Sequence, residues 1–153
     1  MSKIRKLLVA SLLTVSMFAT TQSALAADNE ANSMETAIPL VPFGTNYHTI
    51  YDSTDIDWFV WENTSGKTYD GAFFELNCPP GYNYDLYFIK YIASINYTTS
   101  GIAIGDNGPG GTDIGHTTPV GPGDKLYLVV SPRTPFDFSP NHQFSVKVTP
   151  YPL

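Results

Sequence analysis

Gln143-Phe144-Ser145-Val146-Lys147-Val148-Thr149 decides the fold class. Phe144, Val146 and Val148 alternate with Ser145, Lys147 and Thr149. A period of two puts the apolar side chains on one face of an extended chain and the polar ones on the other, the mark of a half-buried strand. The same reading extends backwards. Leu126, Leu128 and Val130 share one face of a second run, with Tyr127 and Val129 on the other, and Leu86 and Phe88 are offset from Tyr87 and Ile89 in a third. Strands are expected at residues 46–51, 57–61, 71–77, 84–92, 125–131 and 143–149.

Between these runs the chain is punctuated by turn chemistry. Asn63-Thr64-Ser65-Gly66-Lys67 reads as a hairpin turn, Pro79-Pro80-Gly81 breaks any element, and 105–111 is a glycine-rich loop. Gly121-Pro122-Gly123-Asp124 is a tight turn that launches the next strand, and Pro150-Tyr151-Pro152 is expected to end the sheet. No segment carries a sustained helical period, and no internal repeat is present. Many short strands in one domain-sized chain give an all-β class, a jelly-roll-like antiparallel β-sandwich.

The chain has 153 residues, a length that suits one domain. Its start has the form of a secretory signal peptide: Lys3, Arg5 and Lys6, an apolar stretch over 7–18, and Ala24-Leu25-Ala26 as the small-x-small cleavage box. The apolar stretch is shorter than the roughly 20 residues that span a bilayer. The expectation is a leader over 1–26 and a secreted, extracellular β-sandwich domain over 27–153. That domain keeps five basic residues against fourteen acidic ones, a net charge of −9. An acidic surface argues against nucleic acid, which needs basic patches. No membrane partner is expected, and the expected state is a monomer. The single cysteine, Cys78, excludes a disulfide framework and reads as a buried thiol.

Catalytic signatures are absent: there is no Gly-x-Ser-x-Gly elbow and no His-Glu-x-x-His. Gly66-Lys67-Thr68 mimics the end of a phosphate loop, but Trp61 stands where its first glycine belongs. The expectation is a protein that is not an enzyme. A small hydrolase, resting on His116 beside Asp113 and on Thr117-Thr118, is the alternative, as is a secreted partner or inhibitor of a peptidase.

Two acidic groups stand out. Asp28, Glu30 and Asn32 occupy alternate positions near the expected new terminus, and alternate side chains of an extended segment point the same way. Asp52, Asp55 and Asp57 crowd the entrance to Trp58-Phe59-Val60-Trp61. Together they offer six oxygen-bearing side chains to a hard cation such as calcium, which takes 6–8 oxygens. The spacing is not that of an EF-hand, and solvated acids at a strand end are the plain alternative. Asp106, Asn107 and Asp113 in the glycine-rich loop form a second, weaker set. The tyrosines, ten in all, exceed what a small core needs. An exposed tyrosine face joins apolar area to a hydroxyl and binds partners well.

The order of these features resembles the bacterial pre-peptidase C-terminal domain, related to the collagen-binding domains of clostridial collagenases. The resemblance rests on Glu30-Ala31-Asn32, where the family usually has proline at the middle position, and on Ala37 ahead of Ile38-Pro39-Leu40. It continues through Asp55-Ile56-Asp57-Trp58-Phe59, Tyr84-Asp85-Leu86-Tyr87-Phe88, Gly123-Asp124-Lys125-Leu126-Tyr127-Leu128-Val129-Val130 and Gln143-Phe144-Ser145-Val146-Lys147-Val148. It implies a jelly-roll sandwich that binds an extracellular protein or polysaccharide. It also implies a calcium ion between the N-terminal segment and the loop before the Asp-x-Asp strand, held by Asp28, Glu30, Asn32, Asp52, Asp55 and Asp57. In the collagen binders the ligand meets tyrosines on one sheet face. The positions in matching strands here are Tyr84, Tyr87 and Tyr127.

Overall fold

The computed structural model describes residues 31–152. The expected leader and the boundary after it, with Asp28 and Glu30, lie outside the described residues. Ten strands follow in chain order: β1 (Ile38–Pro39), β2 (Thr45–Ile50), β3 (Asp57–Glu62), β4 (Tyr69–Asn77), β5 (Tyr84–Ile92), β6 (Tyr97–Thr98), β7 (Ile102–Ala103), β8 (Thr112–Thr117), β9 (Lys125–Pro132) and β10 (Ser139–Pro152). One short 3-10 turn spans Ala93–Ile95.

The strands form two sheets. The larger runs β1-β3-β9-β5-β6, with β7 also on the outer side of β5; the smaller runs β2-β10-β4-β8. β1 pairs with β3 in parallel, and the remaining strand pairs are antiparallel. The architecture is the all-β sandwich that the alternating pattern requires. Inward-facing rings lock the layers together. Phe59 of the larger sheet meets Phe144 of the smaller edge-to-face at 6.1 Å, Tyr84 meets Phe144 at 5.6 Å, and Phe88 meets Phe74 at 5.0 Å. Leu86, Leu128, Val130, Val146 and Val148 fill the space around them. Burying each such side chain stabilises the fold by about 1.5–3 kcal/mol.

Every strand expected from the sequence forms, but three local expectations are corrected. Asn63 to Lys67 is not a hairpin turn. The chain leaves β3 in one sheet there and enters β4 in the other. The buried Asn63 side chain holds the crossing, its Nδ2 donating to the carbonyls of Lys67, Val120 and Gly121 at 2.7, 3.0 and 2.9 Å. Pro150 and Pro152 do not end the sheet, because β10 pairs with β4 as far as Pro152 opposite Tyr69. Val148 turns its carbonyl towards the β2 side, where it accepts from Phe43 N–H. Pro150 and Pro152 share that parity, and β2 pairs with β10 only as far as Thr45 opposite Lys147. Their missing N–H groups therefore fall on an open edge, where proline is tolerated.

The third correction is β8, a strand where none is expected from the sequence. Thr-Asp-Ile-Gly-His-Thr is poor strand material by propensity. Gly115 faces the core, and a Cβ there would overlap the Phe74 ring. The glycine is what lets β8 lie flat over that ring and close the edge of the smaller sheet.

Candidate functional site

A backbone bond ties the start of the described chain to β3. Ala31 is buried, and its carbonyl accepts Trp58 N–H at 2.8 Å. Asn32 follows directly, so it flanks the strand that Asp57 opens. Each aspartate then has a distinct environment. Asp52 is exposed and caps its own turn, with Oδ1 accepting from Thr54 N at 2.7 Å and Thr54 Oγ1 at 2.8 Å. Those bonds hold its carboxyl below the ordinary range. Asp55 is buried, and its Oδ2 accepts Tyr51 N–H at 2.7 Å. Asp57 has no hydrogen-bond donor among the described residues. Burial, with the Asp55 charge adding to it, pushes its carboxyl up to about 7.

Asp55 and Asp57 are two positions apart, and charge on the first raises the cost of ionising the second. A divalent cation placed between them would relieve that repulsion. Among the described residues no three His, Cys, Asp or Glu side chains converge as a finished cage. The described part of the site thus provides two close carboxylates, Asn32 nearby and Asp52 at the neighbouring turn. Asp28 and Glu30 lie outside it.

The tyrosines separate by strand parity. In β5, Tyr84, Leu86, Phe88 and Lys90 face inward, while Asp85, Tyr87, Ile89 and Tyr91 face outward. Tyr84 is 0% exposed and packs against Phe144. Its hydroxyl has no partner among the described residues, and burial raises its pKa. The expectation of Tyr84 as a contact on the ligand face is corrected: its position in the alternation points it into the core.

Tyr87 and Tyr127 do share the outer face. Tyr87 lies opposite Val129, and Ile89 opposite Tyr127. On the other side of β9, Trp58 lies opposite Val129 and Val60 opposite Tyr127. The result is two rows across three strands, Tyr87-Val129-Trp58 and Ile89-Tyr127-Val60, all apolar or aromatic. Trp58 and Tyr127 stand edge-to-face at 6.5 Å. Sequence reasoning misses Trp58 as a member of this face. Its parity, opposite to that of Phe59 and Trp61, is the signal that could have found it.

The remaining reactive groups are engaged elsewhere. Asp113 is 1% exposed and faces inward, whereas His116 is exposed on the outer side of the smaller sheet, beside Phe73. Residues three apart on a strand point to opposite faces, so the expected His116–Asp113 neighbourhood does not form a dyad. His48 packs between Phe59 and Phe144, and His142 Nδ1 shares a local hydrogen bond with Ser139 Oγ at 2.8 Å. No histidine forms an ion pair among the described residues. Cys78 is buried, and burial pushes its thiol up to about 11, away from thiolate chemistry. In the glycine-rich loop, Arg133 Nη1 bridges Asp85 Oδ1 at 2.8 Å and Asp106 Oδ2 at 3.1 Å, so a guanidinium already supplies that cluster's positive charge.

No family model matches the chain, and no curated protein matches it. Among solved structures, the chain is similar to the pre-peptidase C-terminal domain of a collagenase from Bacillus anthracis, determined by crystallography at 1.0 Å. The two share 12% identity over 80% of this chain and 100% of that domain, with a TM-score of 0.52. The likeness is one of fold.

Proposed function

We propose that this protein is a secreted, non-catalytic binding module that recognises an extracellular protein or polysaccharide through the outer face of its larger sheet. The observation that carries this reading is the pair of rows formed by Trp58, Tyr87 and Tyr127 with Val60, Ile89 and Val129. Aromatic side chains dominate binding energetics because they combine large apolar area with few rotatable bonds. A flat face of this kind suits an elongated ligand. The fold likeness to a domain of a collagenase supports the reading, as does the inert setting of Cys78 and of the three histidines.

Calcium is the cofactor of this proposal. Asp55, Asp57 and Asn32, with Asp52, Asp28 and Glu30, would staple the N-terminal segment to the mouth of β3 and so fix the edge that carries Trp58. Pull-down on insoluble collagen, chitin and cell wall tests the binding claim. Retention on one of these matrices, lost in a Tyr87→Ala/Tyr127→Ala variant that still folds, is the expected result. Equal retention of wild type and variant would assign binding to another surface.

A further inference from the structure

A recess lies apart from that outer face, at the open edge of the sandwich where β5 and β7 of the larger sheet face the end of β8. It is a cleft of about 610 Å³, within the range of small-molecule sites. Its floor holds a buried ion pair. Lys90 Nζ lies 3.2 Å from Asp124 Oδ2 and also donates to the Pro119 carbonyl. Lys90 is 7% exposed and Asp124 4%. Asp124 is further held by N–H groups of Ala93 and Gly121, each at 2.9 Å. An ammonium has three protons, and the third has no acceptor among the described residues.

The walls are of two kinds. Thr68, Ser94, Thr117 and Thr118 line the cleft, and none of their hydroxyls has a hydrogen bond to another described residue. Thr99 Oγ1 accepts Lys90 N–H at 2.9 Å and keeps its own proton to donate. Phe88 and Ile102 add apolar lining. Buried charges in a recess need a reason, since an ion pair in the interior is weak support for stability by itself.

The geometry points to a binding site for a neutral sugar ring, most simply a terminal residue of a glycan. Hydroxyls that donate and accept match sugar hydroxyls. The apolar wall matches the C–H face of a pyranose, and the Lys90–Asp124 pair offers one fixed donor without net charge. An anionic sugar is disfavoured, because the pair cancels internally and the domain carries an excess of acids. The site is independent of the outer-face reading.

Saturation-transfer NMR with the methyl glycosides of glucose, galactose, mannose and N-acetylglucosamine tests it, with methyl glucuronide and an extended Ala-Ser peptide as comparisons. The expected result is saturable binding of at least one neutral glycoside, accompanied by amide shifts at Ala93, Thr99 and Gly121. Ser94→Trp, which plugs the cleft from its exposed rim, should abolish it. Thr117→Val with Thr118→Val should weaken it about fivefold to thirtyfold, the loss of one or two hydrogen bonds of about 1 kcal/mol each. Silence from all four glycosides, binding that survives Ser94→Trp, stronger binding of the glucuronide or peptide, or shifts confined to the Tyr127 face would each overturn the assignment. Failure here leaves the outer-face reading to its own readout, the emission of Trp58.

Discussion

Trp58 donates its backbone N–H to the Ala31 carbonyl at 2.8 Å, and this one bond brings the N-terminal segment to the strand that presents both Asp57 and the outer aromatic face. Asn32, the next residue after Ala31, is thereby held in the chain beside the strand that Asp57 opens. An ion held there would act on the same strand that carries Trp58, so metal binding and face geometry are linked through β3.

Calcium should raise the melting temperature. Extracellular calcium modules bind at about 10⁻⁴–10⁻³ M, and ligand at roughly 100 Kd adds about 2.7 kcal/mol to the folded state. For a domain of this size that is an increase of about 10 °C. Differential scanning calorimetry with calcium and with chelator checks it. Asp55→Ala should remove the difference, and identical melting curves for wild type in both conditions would dispose of the ion.

Acid should stabilise the metal-free protein. Asp57 titrates at about 7 in the fold against 3.8 in the unfolded chain. Between those values the native state binds more protons, so its stability is gained as pH falls through 7 and lost as pH rises through it. A tenfold change in proton affinity corresponds to about 1.4 kcal/mol, which sets an upper bound of roughly 4 kcal/mol, reduced by the partial solvent access of Asp57. Chemical denaturation between pH 8 and pH 5 in chelator should show the gain, and Asp57→Asn should flatten it. A wild type that loses stability over the same acid interval contradicts the placement.

Tyr84→Phe should stabilise the fold. The Tyr84 hydroxyl is buried with no partner among the described residues, and such a group costs about 1–3 kcal/mol. Urea unfolding should give a higher midpoint and an unfolding free energy raised by an amount in this range. A destabilised variant would mean that the hydroxyl has a partner.

Gly115→Ala should destabilise by about 1–3 kcal/mol, the usual cost of overpacking. The added methyl would overlap the Phe74 ring and crowd Ile104. Combining it with Phe74→Leu should recover part of the loss in thermal melts. Strictly additive losses would show that Gly115 is not making room for that ring.

How far the sequence carries is visible in individual elements. β10 and β9 are legible because period-two alternation directly encodes one buried face. β8 is not, because its glycine and inward aspartate are chosen by the shape of Phe74 and by the loop at Asn107, which lie elsewhere in the chain. The crossing at Asn63 looks like a hairpin locally; only the long-range bonds of its amide to Val120 and Gly121 distinguish the two. For the face, residue type picks out tyrosines but parity decides among them: Tyr87 and Tyr127 lie outside, Tyr84 inside, and Trp58 joins from a strand whose acids are its most visible feature in sequence. Lys90 is legible in principle, since it shares parity with Leu86 and Phe88. Its partner Asp124 is not, being set by the turn that precedes β9.

The central claim is that a ligand settles on the outer face, and the most direct measurement is the emission of Trp58 in a Trp61→Phe background, where the buried second tryptophan no longer contributes. Titration with a triple-helical collagen peptide, chito-oligosaccharide and soluble cell-wall fragments should give a saturable blue shift with one of them, abolished by Tyr87→Ala/Tyr127→Ala. A fragment that is retained by the protein yet leaves Trp58 emission unchanged, or the absence of binding by all three, would contradict it.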